Sequence, residues 1–91
     1  MFTLVTTEYF LRRARRFLKK HPDLRGRCAQ VLDDLKQDPF SPHLVYHQLG
    51  GRLQELQAVR INYDYRIILT IKITDKEVVL LDIGSHDEVY R

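Results

Sequence analysis

Near residue 43 the hydrophobic period of this chain changes from about 3.6 to 2. A chain that reads as helical first and stranded afterwards does not build repeated strand-helix-strand units. It lays helices over a sheet drawn mostly from its second half, an α+β arrangement. Before the change, Phe10, Ala14, Phe17 and Leu18 fall on one helical stripe. Thr6 or Thr7 can cap the start of that helix, and Glu8 suits its first turn. The predicted helix runs from about residue 7 to 20 and carries Arg12, Arg13, Arg16, Lys19 and Lys20 away from the stripe. The preceding Phe2-Thr3-Leu4-Val5 is a short strand.

His21-Pro22 breaks the chain and restarts it, because proline disfavours α geometry before itself but suits a first helical turn. Leu24, Cys28, Val31, Leu32 and Leu35 then repeat the stripe, and Asp38-Pro39-Phe40-Ser41-Pro42 ends it. The two helices are expected to form a hairpin, with Cys28 a small buried hydrophobe.

After the change, Leu44 to Leu49 and Leu53 to Asn62 read as strand-like segments around Gly50-Gly51. Tyr65, Ile67, Leu69, Ile71 and Ile73 alternate with Arg66, Ile68, Thr70 and Lys72, a strand with one core face. Val78 to Ile83 is apolar on both faces as far as Asp82, as a central strand would be. Turn chemistry at Asn62-Tyr63-Asp64 and Thr74-Asp75-Lys76 links these runs into a three-stranded meander. The expected fold is strand, two helices and three strands: a helical hairpin on one face of a mainly antiparallel four-stranded sheet, the other face open. Residues 1–91 form one domain, without repeats or linkers.

A turn centred on Tyr63 pairs Ile61 with Tyr65 and Arg60 with Arg66. Like charges directly opposed on a sheet are unfavourable unless an anion lies between them, and two guanidinium forks suit a phosphate. The competing reading gives each arginine a carboxylate, such as Asp64 or Glu55. At the C-terminus, Ser85 followed by Glu88 is a capping box. It starts a turn in which His86 and Tyr90 share a face; the pair is either proton-transfer and stacking chemistry or ordinary surface. His43 and His47 are also four apart, but they flank an extended Leu44-Val45-Tyr46, so no metal site is expected. Phosphate-loop, dinucleotide and nucleophile-elbow motifs are absent.

Charge adds a direction to this. Residues 12–27 hold eight of the fifteen basic residues and one of the twelve acids, a net +7 against −4 over the rest. That is either a solvated helix face or the footprint of a polyanion-binding surface. With 44% apolar and 30% charged residues, the composition excludes disordered, collagenous and membrane-spanning classes. One cysteine excludes an internal disulfide framework, and no basic-then-apolar leader opens the chain, so a reducing, cytoplasmic location is expected.

The successive segments HPDLRGR, DPFSPHLVYHQLGG, VRINYDYRIIL and IGSHDEVY resemble the RelE/ParE toxin superfamily over essentially the whole chain. Within it they are most similar to the RelE and YafQ messenger RNA interferases. The resemblance implies a βααβββ fold, ribosome-dependent cleavage of messenger RNA without a cofactor or metal, no membrane association, and a cognate antitoxin. His47 and His86 match catalytic histidines, Asp64 an active-site acid, Tyr90 an aromatic and Arg66 a phosphate-binding arginine. Arg60 stands where the YafQ group has another histidine, and Ala58 where it has another acid. Arg60, Arg52 and the cations Arg12, Arg13, Arg16, Lys19 and Lys20 complete the expected RNA-binding set. Attack by a 2′-hydroxyl needs a base, cations on the phosphorane and an acid for the leaving oxygen. Arg66 and Arg60 take the phosphate, His86 with Tyr90 the acid role, and His47 or Asp64 the base. Two rivals share the fold: a ParE-type gyrase inhibitor and a non-catalytic RNA-binding relative.

Overall fold

The computed structural model describes residues 1–51 and 55–90. The elements run β1 (Thr3–Thr6), α1 (Glu8–Lys20), a 3-10 turn at Pro22–Leu24, α2 (Arg25–Gln37), a second 3-10 turn at Pro42–Leu44, β2 (His47–Gln48), β3 (Gln57–Arg60), β4 (Tyr65–Lys72), β5 (Glu77–Ser85) and α3 (His86–Val89). Thr7 begins α1 as its side chain permits. Its Oγ1 accepts from the Phe10 backbone N–H at 3.1 Å and donates to the Leu80 carbonyl at 3.1 Å, so one hydroxyl caps the helix and ties it to the sheet.

The sheet has the order β1-β5-β4-β3-β2, with β1 parallel to β5 and every other neighbour antiparallel. The core lies between the helices and one sheet face. Phe10 and Phe17 of α1, Cys28, Val31 and Leu35 of α2, and Val59, Ile67, Leu69, Val78, Leu80 and Ile83 of the strands are all buried within it. Each large side chain so buried contributes roughly 1.5–3 kcal/mol relative to exposure. Cys28 belongs to this set, and burial pushes its thiol pKa up, so it acts as the small hydrophobe expected of it.

The expected meander is present, and its first hairpin has the predicted register: Val59 faces Ile67 and Arg60 faces Arg66. The Ile61 N–H donates to the Tyr65 carbonyl at 2.9 Å, closing the turn. Between β4 and β5 the register shifts: Ile68 faces Asp82 but Leu69 faces Leu80, which leaves Leu81 over. This bulge lets Val78, Leu80 and Ile83 all reach the core although their spacing is two and then three, and it re-aims Asp82.

Four expectations need correction. The sheet has five strands, because His47–Gln48 adds a two-residue ladder opposite Ala58 and Gln57, too short to leave a period-2 signature. The expected strand from Leu44 to Leu49 shrinks to those two residues: Pro42 starts a 3-10 turn and Val45 leaves it in the left-handed region at φ 50°. The expected strand from Leu53 to Asn62 is realised at Gln57–Arg60; Leu53 lies outside the described residues. The sheet face away from the helices is also only partly open, since Ala58 and Ile68 on it are buried.

Candidate active site

The ends of β2, β4 and β5 converge with α3 on the sheet face opposite the helices. The capping box forms as expected: Ser85 Oγ accepts from the Glu88 N–H at 3.3 Å, while Glu88 Oε1 accepts from the Ser85 N–H at 2.9 Å. Those bonds hold the Glu88 carboxyl below its usual pKa, aided by Arg13 and Lys20. Gly84 permits the packing, because a Cβ there would stand 2.9 Å from Glu88 Oε1 and 3.3 Å from its Cβ. The turn thus presents His86 and Tyr90 side by side, ring centroids 4.3 Å apart and edge to face.

Two adjoining clefts meet at Arg66 and His86. One, of about 510 Å³, is lined by Arg60, Asp64, Arg66 and His86 among others. The other, of about 420 Å³, includes His47, Arg66, His86 and Tyr90. Six residues singled out from the sequence therefore come together from four separate segments. The Arg66 guanidinium lies 5.7 Å over the Tyr90 ring. Arg66 Nε and the Tyr90 hydroxyl are buried and have no hydrogen-bond partner among the described residues. A bare buried donor costs about 1–3 kcal/mol, so an acceptor brought to this cluster would relieve that cost. The carboxylate-pairing alternative for the arginines finds no support: among the described residues, neither Arg60 nor Arg66 is within salt-bridge distance of an acid.

His47 sits one strand away. Its Nδ1 lies 3.1 Å from the Val45 carbonyl, which can only accept, so the ring donates from Nδ1 and, when neutral, keeps its Nε2 lone pair free. The carbonyl is placed by Val45 in the left-handed region, a costly conformation for a β-branched residue. Asp64 is exposed in a turn shaped by Asn62, whose Oδ1 accepts from both the Asp64 and Tyr65 N–H groups at 2.9 Å. His86 is exposed, with Nδ1 3.6 Å from Asp87 Oδ1.

The basic residues of α1 do not join this group. Arg13 Nε donates to Asp82 Oδ1 at 2.9 Å, and that bond raises the guanidinium pKa further. Arg13 is thus a strut between α1 and β5 rather than a free cation. Arg12, Arg16, Lys19 and Lys20 remain exposed, with the Arg12 guanidinium 6.0 Å from the Tyr9 ring. Arg52 lies outside the described residues. His43 is held elsewhere, between Ser41 Oγ and Asp34 Oδ2 at 2.7 Å each, and does not meet His47. No group of three or more His, Cys, Asp or Glu side chains suited to a metal occurs among the described residues. None of their helices is long and apolar enough to cross a membrane.

Two features escaped the sequence. Tyr63 at the hairpin tip is 84% exposed and lines the cleft of Arg60 and Arg66. Phe17, His21 and Tyr65 stack together, their ring centroids 4.6 to 5.1 Å apart. A turn tyrosine and a histidine before proline carry no pattern that marks them; only the packing of Phe17 on Tyr65 brings His21 into the ring cluster.

No family model and no curated protein matches the sequence. Solved structures do match it. A metal-bound toxin from Helicobacter pylori is 25% identical, with a TM-score of 0.82 over 99% of this chain and 100% of that one. YafQ from Escherichia coli is 14% identical, with a TM-score of 0.82 and full coverage of both chains. The YoeB-YefM complex from Staphylococcus aureus contributes a chain 13% identical, with a TM-score of 0.74 over 94% of this chain and 98% of that one. Helices on one face of a mixed sheet, β1 parallel beside the last strand and a match over the whole length give the chain the fold seen in toxins of the RelE/ParE kind.

Proposed function

We propose that this chain is the toxin of a type II toxin–antitoxin pair and that it cleaves messenger RNA on the ribosome. The observation that carries the reading is the meeting of Arg66 and His86 at two shared clefts, with Arg66 Nε buried and lacking a partner among the described residues. Arg66, with Arg60 across the hairpin, holds the scissile phosphate and offsets the charge that builds on its oxygens as the 2′-hydroxyl attacks. His47 takes the hydroxyl proton on Nε2; its Nδ1 bond to Val45 favours it over Asp64 as the base. His86 delivers a proton to the departing 5′-oxygen, and Tyr90 fixes its ring by edge-to-face contact. The nucleophile belongs to the RNA, so the scheme runs without metal or cofactor.

The partner is an antitoxin whose acidic segment covers these clefts, a reading supported by the solved association of YoeB with YefM. The deciding experiment pairs ribosome-dependent cleavage of a defined messenger with gyrase supercoiling. Cut messenger with gyrase untouched is expected; gyrase inhibition without RNA cleavage would place the chain on the ParE side of the superfamily.

A further inference from the structure

A third cleft, of about 520 Å³, lies between α1 and the ends of β4 and β5. Its charged rim includes Arg16 and Lys20, both exposed, and one wall contains His21 and Tyr65, half-buried and stacked with centroids 4.6 Å apart. Arg13 also lines it but is held by Asp82, and Glu88 is held by the Ser85 N–H. Tyr65 and Ser85 line both this cleft and the one containing Arg60, Arg66 and His86, so the two share a wall.

Cations beside stacked rings, in a concave surface continuous with a phosphate site, match the chemistry of a nucleotide: an anion for the ammonium and guanidinium, and a π-face for the rings. An acidic protein segment would use the cations but not the rings. We propose that this cleft is a second nucleotide subsite, in which Arg16 and Lys20 bind the phosphate of a nucleotide flanking the cut and the His21–Tyr65 pair stacks on its base. The inference rests on the RNA-cleaving reading above and adds to it a reach of more than the two nucleotides that flank the scissile bond. It also gives the basic face of α1 a role toward the substrate strand itself.

The test uses 2′-O-methyl RNA, which lacks the attacking hydroxyl, as a dinucleotide and a pentanucleotide, with affinity read by fluorescence anisotropy at fixed salt. The wild type is expected to bind the longer strand at least about 10-fold more tightly. Arg16→Gln/Lys20→Gln should remove most of that difference and leave the dinucleotide unchanged. His21→Ala should weaken the pentanucleotide by about 5-fold or more, while His21→Phe, which keeps a ring, restores it. Thermal melts establish that each variant folds. If the double variant weakens both lengths equally, the cations act only as a general field and the subsite is wrong. It is equally wrong if neither length responds, or if a glutamate-rich peptide binds with the same His21 dependence and RNA does not. A wild type that binds neither strand while Arg66→Ala changes nothing overturns the RNA reading itself, and the subsite with it.

Discussion

Arg13 and Arg66 stand on different sides of the sheet end near Gly84 and show how differently two arginines of one chain can be used. Arg13 reaches from α1 to Asp82 and finds a carboxylate at 2.9 Å. Arg66 faces a second arginine across the hairpin, lies against Tyr90 and has no partner for its buried Nε among the described residues. The first is a completed interaction that holds helix to sheet. The second is an incomplete one, which a folded protein tolerates where a ligand finishes the set. Positive charge in the sequence therefore marks two unlike regions: a helix side where one cation has been absorbed by the fold, and a sheet end where it is kept in reserve.

The largest expected effects test the incomplete side. His86→Gln should lower single-turnover cleavage of ribosome-bound messenger by at least roughly 10²-fold, and Arg66→Ala by a similar factor. In the His86 variant, thermal unfolding should stay within about 0.5 kcal/mol of wild type, since the side chain is exposed. A fully active His86→Gln protein would remove His86 as the acid, and loss of cleavage only through unfolding would make it structural.

Substitution on the completed side should behave in the opposite way. Arg13→Ala leaves Asp82 without its cation in a half-buried setting, at a cost of about 1–2 kcal/mol, between the values for exposed and buried charged pairs. The thermal midpoint should fall by roughly 5–15 °C, while the fraction that remains folded cleaves at a rate near that of wild type. A stable Arg13→Ala protein with a large cleavage defect would erase the contrast drawn between the two arginines.

The smallest effect concerns the turn that joins the two regions. Ser85→Ala removes one half of the capping box and should cost about 1 kcal/mol locally, read as increased amide exchange at His86–Val89. The same bonds depress the Glu88 pKa. A carboxyl whose folded pKa lies below its unfolded value contributes stability above the unfolded value and loses it as pH falls through the folded one. The turn should therefore stay intact at neutral pH and fray as the pH drops through and below the ordinary glutamate range. In Glu88→Gln the protection of these amides, taken relative to their intrinsic exchange rates at each pH, should not change with that acidification; an equal loss of protection in both proteins would assign the depressed pKa no structural role.

Local rules were enough to read much of this molecule from its residues. Thr7, the Phe10 and Phe17 stripe, the break at Pro22, the pairing of Arg60 with Arg66 and the Ser85–Glu88 box each depend on spacings of four residues or fewer, or on a tight turn, and so are written within short windows of sequence. The histidines and Tyr90 were legible as candidates through family resemblance, and periodicity alone said nothing of their roles. What tertiary structure decided were relations between distant segments. The bulge at Leu81 turns Asp82 toward Arg13, the two-residue strand brings His47 beside His86, Val45 fixes the His47 tautomer, and α1 against β4 assembles His21 with Tyr65. No local propensity encodes these, because each is the outcome of packing one particular core, in which residues far apart in the chain settle the geometry together.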